Sequence, residues 1–251
     1  MKNNVVILAG GQGKRMKSDG PKVLCQVQGR AMLDWVITAC ENAGIEEICV
    51  VKGHKAEMID EFLGGRPSKA HIMTVLQSER LGTGHAVQMA KDFLEANKEG
   101  NTLILCGDAP FIDPPTIEGA LELHTREGNS VTVVTSEKDD PTGYGRIIRT
   151  ADGIAGIVEQ KDCTPEQTKI KEINSGCYWF NTADLLDVLF ELTPNNAQGE
   201  YYLTDCLGLL IGKGKRANAY TSSNPNVSLG ANDPAGLAYL NELAEQFSAQ
   251  A

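Results

Sequence analysis

The run Leu8-Ala9-Gly10-Gly11-Gln12-Gly13-Lys14-Arg15-Met16, with Pro21-Lys22 just downstream, combines two things a phosphate needs. Glycines let backbone N–H groups approach closely, and Arg and Lys flank them with positive charge. The run follows Val5-Val6-Ile7-Leu8, which reads as a buried strand, and an α/β sheet places its ligand loops there. It is not a Walker A loop, because no Ser or Thr follows Gly13-Lys14 and position 8 is not glycine. Nor is it the dinucleotide fingerprint, since Met16 stands where the third glycine should be. Four further sites fall where strands should end or break. Gln77 follows Ile72–Leu76 and precedes Leu81-Gly82-Thr83-Gly84, Asp108 follows Leu103-Ile104-Leu105-Cys106-Gly107, Glu159 closes Ile154–Val158, and Asn174-Ser175-Gly176 interrupts an apolar strand. Each has a plainer reading: Asp108 before Ala109-Pro110 as a turn former, Glu159 as a surface acid, Gly82-Thr83 as a helix cap. Ligands of open α/β sheets sit outside the carboxyl ends of strands, so one crevice is the expected common destination.

The elements that must position these groups alternate in type. Strands are expected at Val5–Leu8, Glu47–Val51, Ile72–Leu76, Leu103–Cys106 and Ser130–Ser136. Helices are expected at Ala31–Ala43, Lys55–Leu63, Gly84–Ala96 and Pro114–Arg126. Strand, helix, strand at this spacing implies crossover units and a mainly parallel sheet covered on both faces. After Thr142 the rhythm changes. A hairpin spans Gly145–Glu159 with its turn at Asp152-Gly153, followed by a strand at Glu172–Phe180 and helices at Thr182–Leu192 and Thr204–Gly212. A strand at Arg216–Tyr220 and a closing helix at Pro234–Phe247, apolar at Leu237, Leu240, Leu243 and Phe247, complete the chain. The reading is one continuous domain with two lobes and a cleft between them.

Composition narrows the partners. The chain has 251 residues, 41% of them hydrophobic and 22% charged, which is that of a folded enzyme rather than a disordered or collagen-like chain. A net charge of −10 leaves no broad basic footprint for a nucleic acid. The first 30 residues nevertheless carry six bases (Lys2, Lys14, Arg15, Lys17, Lys22, Arg30) against Asp19 alone, which suits a small polyanion or else a solvated basic face. The longest charge-free stretch, Ile173–Ala183, is too short to span a bilayer, and the N-terminal apolar run is too short for a signal peptide. Seven cysteines with no Cys-x-x-Cys pair point to free thiols and a reducing, cytoplasmic setting.

These residues also resemble a known family. Leu8–Met16 with Pro21-Lys22, Gln77 with Leu81-Gly82-Thr83-Gly84-His85-Ala86, and Gly107-Asp108-Ala109-Pro110 look like the sugar nucleotidyltransferases. Asp140-Pro141-Thr142-Gly143-Tyr144-Gly145-Arg146-Ile147, Ile157-Val158-Glu159, Glu172-Ile173-Asn174-Ser175-Gly176 and the run Asn196–Asp205 narrow this further. They resemble the uridylyltransferase domain of the bifunctional N-acetylglucosamine-1-phosphate uridyltransferase/glucosamine-1-phosphate acetyltransferase family, from about residue 4 to about residue 232.

The resemblance implies a Rossmann-like α/β nucleotidyltransferase fold: a mixed, mostly parallel sheet with helices on both faces and a smaller sugar-binding lobe. It implies a nucleotide lobe over about residues 1–110, a sugar lobe over about 111–228 and a closing segment over 229–251. The implied reaction joins UTP and N-acetylglucosamine 1-phosphate into UDP-N-acetylglucosamine, a peptidoglycan and cell-wall precursor, with release of pyrophosphate. Leu8, Ala9, Gly10 and Gly11 match nucleotide-holding positions, and Arg15 and Lys22 those on the phosphates. Gln77, Gly82 and Thr83 match the uracil readers; Gly145, Glu159 and Asn174 match the sugar holders. Cys106-Gly107 falls in the same nucleotide-sugar site, and Asp108 and Asn232 match the ligands of Mg²⁺. The implied catalytic set is Arg15, Lys22 and Asp108. The sequence departs from the pattern at Lys14 and Ser175, both usually Thr, at Cys106, commonly Tyr, and in the segment before Gly230-Ala231-Asn232-Asp233. No hexapeptide-repeat β-helix follows before Ala251, so neither acetyl transfer nor a trimer built on that helix is expected.

Such a reaction suits these residue types. A sugar phosphate is already anionic at neutral pH, its second pKa being about 6, so no activated Ser or His is required. The obstacle is repulsion between two polyanions, and catalysis reduces to positioning and electrostatic screening. Mg²⁺ keeps several waters and accepts one carboxylate and one amide oxygen alongside phosphates.

Overall fold

The computed structural model describes residues 2–16, 18–151 and 153–248. In chain order the strands are β1 (Asn3–Ala9), β2 (Gln26–Val27), β3 (Arg30–Ala31), β4 (Glu47–Lys52), β5 (His71–Leu76), β6 (Asn101–Cys106), β7 (Val131–Glu137), β8 (Arg146–Thr150), β9 (Gly153–Val158), β10 (Glu172–Asn181) and β11 (Ala217–Thr221). The helices are α1 (Met32–Asn42), α2 (Ala56–Gly65), α3 (Thr83–Met89), α4 (Lys91–Ala96), α5 (Pro114–Glu127), α6 (Thr182–Leu189), α7 (Asp205–Gly212) and α8 (Pro234–Ser248).

Among the described residues the strands form a sheet of order β11-β7-β10-β6-β1-β4-β5, with the β8–β9 hairpin attached through β10. β6, β1, β4 and β5 run parallel, as do β11 and β7, while β10 is antiparallel to both its neighbours. The strands are apolar because both faces are covered. Val6, Val51 and Ile104 pack under α3, α4, α6 and α7, whereas Val5, Ile7, Val50, Leu103 and Trp179 pack under α1 and α5. The expected mixed, mostly parallel α/β sheet is what the chain forms.

Register aligns the functional ends. Leu8 is opposite Cys106, Ala9 opposite Lys52, and Lys52 opposite Leu76. Gly10, Gly53, Gln77 and Gly107 therefore leave the sheet side by side.

Two expectations need correction. The helix read as Gly84–Ala96 breaks at Ala90 (φ −86°, ψ 16°), whose N–H bonds to Val87 O in a tighter turn, 3.0 Å. The helix expected through Leu192 ends at Leu189, and buried Leu192 packs instead against the loop that opens α3. The segment just before α1, to which the sequence assigns no element, contains the β2–β3 ribbon, turned by Gln28 (φ 51°) and Gly29 (φ 72°), a pair of left-handed residues that makes a tight hairpin. Of the expected hairpin turn at Asp152-Gly153, Asp152 lies outside the described residues, and β8 and β9 pair antiparallel up to Thr150 and Gly153.

Two sets of contacts brace α1 and the segments around it. α8 seats Leu240 and Ala244 against Met16, Val27, Met32 and Phe111, and Asn241 Oδ1 accepts from Gln28 N at 2.8 Å. Along α1, Arg66 donates to Asp34 in the first turn and, at 2.8 Å, to Glu41 Oε2 in the last. Burial alone would raise the Glu41 carboxyl; hydrogen bonds from Arg66, Ser68 and the Lys69 N–H, with the Arg66 charge, outweigh it and hold Glu41 at about 2. All seven cysteines are unpaired, and no helix among the described residues is long and apolar enough to cross a membrane.

Candidate active site

At the carboxyl ends of β1, β4, β5 and β6 lies a cavity of about 260 Å³, lined in part by Leu8, Gly10, Gly11, Lys22, Gln77, Gly82, Thr83, Cys106 and Asp108. Its floor is made by close backbone contacts. The Cβ of an alanine at Gly53 would stand 2.7 Å from Gly10 O, and His54 N donates to the same oxygen at 3.3 Å. Gly107 N donates to Leu8 O at 2.9 Å, and Ala9 is buried beneath. Gln77, also buried, donates through Nε2 to Gly82 O at 3.0 Å and so fixes the rim loop. Gly82 has φ 111°, and a Cβ there would meet Tyr201 O at 2.5 Å. Gly84 N to Tyr201 O (2.8 Å), Tyr201 N to Leu81 O (2.7 Å) and Leu203 N to Thr83 Oγ1 (3.0 Å) zip this loop to residues 200–203.

Beyond Asp108 lies a second cavity of about 250 Å³, which shares Cys106 and Asp108 with the first and adds Thr142, Gly143, Tyr144, Ser175, Gly230 and Asn232. Next to it Gly145, Glu159 and Asn174 come together: a Cβ on Gly145 would lie 3.5 Å from both Asn174 Cβ and Glu159 Oε1. A bulge in β10 between Asn174 and Cys177, with Gly176 at φ 79°, turns this corner toward Cys106. Asn174 donates through Nδ2 to Tyr178 Oη at 2.6 Å and accepts from Gly176 N at 3.1 Å.

Electrostatics at the junction of the cavities follow from burial. Lys22 pairs with Asp108 and donates to Asn232 Oδ1 at 2.9 Å. A carboxylate oxygen and an amide oxygen from positions 124 residues apart therefore converge on one cation. That donor pair fits Mg²⁺, which takes few protein ligands and completes its shell with phosphate and water. No group of three or more His, Cys, Asp or Glu side chains suited to a metal occurs among the described residues. Burial, then the Asp108 charge, pushes the Cys106 thiol up to about 12, so it stays neutral. The Glu159 carboxyl is raised by burial and by Asp205 and Asp162, partly offset by a hydrogen bond from Thr204 at 3.3 Å.

The basic cluster of the first 30 residues does not converge. Lys22 reaches the cavity, whereas Arg15 is exposed on a short 3-10 turn (Lys14–Met16) and lines neither cavity, and Arg30 is engaged by Asp34. Lys2 and Lys14 are exposed, and Lys17 lies outside the described residues. Arg80, missed in the sequence, lines the first cavity instead. Gly53, Glu200 and Gly230 were missed as well. Gly230 packs against the Asp108 carbonyl, where a Cβ would stand at 2.8 Å. Glu200 lies within the Asn196–Asp205 run and Gly230 opens Gly230-Ala231-Asn232-Asp233, but neither was singled out as a site residue; for Gly53 the signal available was a Lys-Gly-His at a strand end.

A model of the nucleotidyl transferase family matches residues 4–225. The chain belongs to this family. Among curated proteins, the bifunctional protein GlmU of Acetivibrio thermocellus is 45% identical over 234 residues, covering 93% of this chain and 50% of that protein. The GlmU of Caldanaerobacter subterraneus subsp. tengcongensis is 47% identical over 223 residues, 88% of this chain and 47% of that one. The chain thus spans about half the length of the curated relatives it matches. A crystal structure of UDP-glucose pyrophosphorylase complexed with UDP-glucose superposes with a TM-score of 0.80 at 18% identity, covering 98% of this chain and 99% of that one, a likeness of fold. A nucleotidyl transferase must bring a nucleoside triphosphate and an acceptor to one point, and two cavities meeting at Asp108 supply such a point.

Proposed function

We propose that the chain transfers the uridylyl group of UTP to N-acetylglucosamine 1-phosphate, forming UDP-N-acetylglucosamine and pyrophosphate. One observation carries the reading: the two cavities adjoin at Cys106 and Asp108, where Lys22 spans Asp108 and Asn232. Leu8, Ala9, Gly10, Gly11 and Gly107 cradle the nucleotide with backbone groups, and Gln77, Gly82 and Thr83 form the rim that faces the base. Gly145, Glu159 and Asn174 hold the sugar beside the second cavity. A phosphate oxygen of the sugar attacks the α-phosphorus in line, the new P–O bond forming as the bond to pyrophosphate breaks.

Lys22 offers its ammonium to the charge that builds on the phosphates; Arg15, exposed and outside both cavity linings, contributes only by turning toward them when they bind. Mg²⁺, held by Asp108 and Asn232, would neutralise phosphate charge. The raised Glu159 carboxyl suits a hydrogen bond with a sugar hydroxyl in either protonation state. We further propose that residues 1–110 form the nucleotide lobe, 111–228 the sugar lobe and 229–251 the closing segment.

The test is pyrophosphate release from UTP, Mg²⁺ and N-acetylglucosamine 1-phosphate; no release by folded protein rejects the reading. A second reading, another sugar 1-phosphate or another nucleoside triphosphate, is favoured by the small Cys106 side chain at the junction. A panel of acceptors and triphosphates separates the two by their ratio of kcat/KM values.

A further inference from the structure

Arg146, which opens β8, is buried to 1% exposure while its hydrogen bonds go to uncharged oxygens. Nη1 donates to Tyr144 O, Nη2 donates to Gln160 Oε1 at 2.8 Å and to Thr168 O at 3.4 Å, and Nε has no partner among the described residues. Burying a cation against uncharged dipoles is costly, and an apolar side chain would fill this strand position more cheaply. The geometry gives the arginine another purpose. Gln160 Oε1 accepts a second hydrogen bond, from Gly143 N at 3.0 Å. Guanidinium and amide together therefore hold the turn 142–145 at Gly143 N and at Tyr144 O. Thr142, Gly143 and Tyr144 line the second cavity, and the next residue, Gly145, accepts from Asn174 N at 2.9 Å. No side chain of this pair enters the cavity.

We propose that Arg146 and Gln160 are positioning residues: a buried clamp that fixes the 142–145 turn as the wall of the sugar-phosphate site. This rests on the reading of the second cavity as the sugar side. Arg's planar fork suits the task, because its fixed donors reach Tyr144, Gln160 and Thr168 from one side chain.

The test uses Gln160→Leu, which is half-buried and removes the shared acceptor without emptying the core, with Gln160→Glu as the conservative rescue and Arg146→Met as the harsher variant. Amide hydrogen exchange of the peptide spanning 140–147 is expected to quicken about tenfold or more in Gln160→Leu. It should return to the wild-type rate in Gln160→Glu, whose carboxylate accepts the same two bonds. In pyrophosphate release, KM for N-acetylglucosamine 1-phosphate is expected to rise about tenfold in Gln160→Leu. KM for UTP should stay within about twofold of wild type, and Gln160→Glu should restore the acceptor KM. Unchanged exchange in a folded Gln160→Leu protein overturns the clamp, whatever the substrate. Equal rises in both KM values overturn its assignment to the sugar side. Wild-type protein inactive on every sugar 1-phosphate rejects the substrate reading instead, and the exchange experiment still decides the clamp.

Discussion

Gly53→Ala isolates the close approach on which the glycine loop after β1 rests. The added Cβ would stand 2.7 Å from Gly10 O, 2.9 Å from Gly10 Cα and 3.2 Å from Gly10 C, all backbone atoms with no rotamer to escape by. Ordinary contact begins near 3.4 Å, so roughly 0.7 Å must be found by moving β1's exit away from β4's. Gly53 does not adopt a left-handed φ, so crowding is the whole perturbation. Overpacking of this kind costs about 1–3 kcal/mol. The loop is the softer partner, since Gly10 and Gly11 follow the strand and border the cavity. Most of the cost should therefore appear as displaced nucleotide contacts. At about 1.4 kcal/mol per decade, KM for UTP rises roughly 5- to 150-fold. KM for the sugar phosphate changes little, because its cavity lies beyond Asp108. The assay is pyrophosphate release with each substrate varied, beside a thermal melt. Gly208→Ala is the control: nothing lies within 4 Å of that Cβ in α7, and the change should stabilise by about 0.5–1 kcal/mol. A Gly53→Ala protein with wild-type KM for UTP and wild-type melting temperature would refute the reasoning.

Asp108→Ala should lower kcat by about 10²–10³ while circular dichroism stays native, since it removes both the partner of Lys22 and the proposed metal ligand; near-normal turnover takes Asp108 out of the site. Glu41→Gln should cost about 3 kcal/mol at neutral pH in urea unfolding, from a carboxyl held at about 2 against an ordinary 4.5. The folded-state value is depressed, so this stabilisation is complete above about 4.5 and fades as pH falls toward about 2; a variant difference that does not shrink on acidification contradicts it. Cys106, its thiol pushed up to about 12, should resist iodoacetamide at neutral pH in the native protein and react after unfolding; rapid native-state alkylation mapped to Cys106 refutes that environment.

Strands and helices were legible because each carries its pattern locally. Apolar runs marked β1, β4, β5 and β6, and register then forced their ends into line. The antiparallel insertion of β10 was not legible, because a continuous apolar strand reads the same in either direction. The Gly84–Ala96 helix looked unbroken because nothing in Met89-Ala90-Lys91 disfavours helix; the tighter turn at Ala90 answers to packing, Ala90 being fully buried. Charge misled in a different way. A cluster counted along the chain assumes neighbours in sequence face one direction, but β1 alone separates Lys2 from Arg15 by the length of the sheet, and Arg30 answers to Asp34 on α1.

Site residues divide along a physical line. Gln77, Asp108 and Asn174 could be picked out because a polar side chain ends or breaks an apolar strand. Their partners could not, because what those partners contribute is the absence of a side chain at one point of contact. Gly53 matters through Gly10 O and Gly230 through Asp108 O, each contact joining segments at least 43 residues apart in sequence. A sequence shows that a glycine is present but not which backbone it faces. The same holds for Arg146 and Gln160, which act on the cavity wall from behind it. A pocket for two polyanions needs rigid walls more than reactive side chains, since its task is to hold like charges together. Much of its design therefore lies in backbone-to-backbone distances, where substitutions that look conservative, such as Gly to Ala, should do more harm than many changes of charge on the rim.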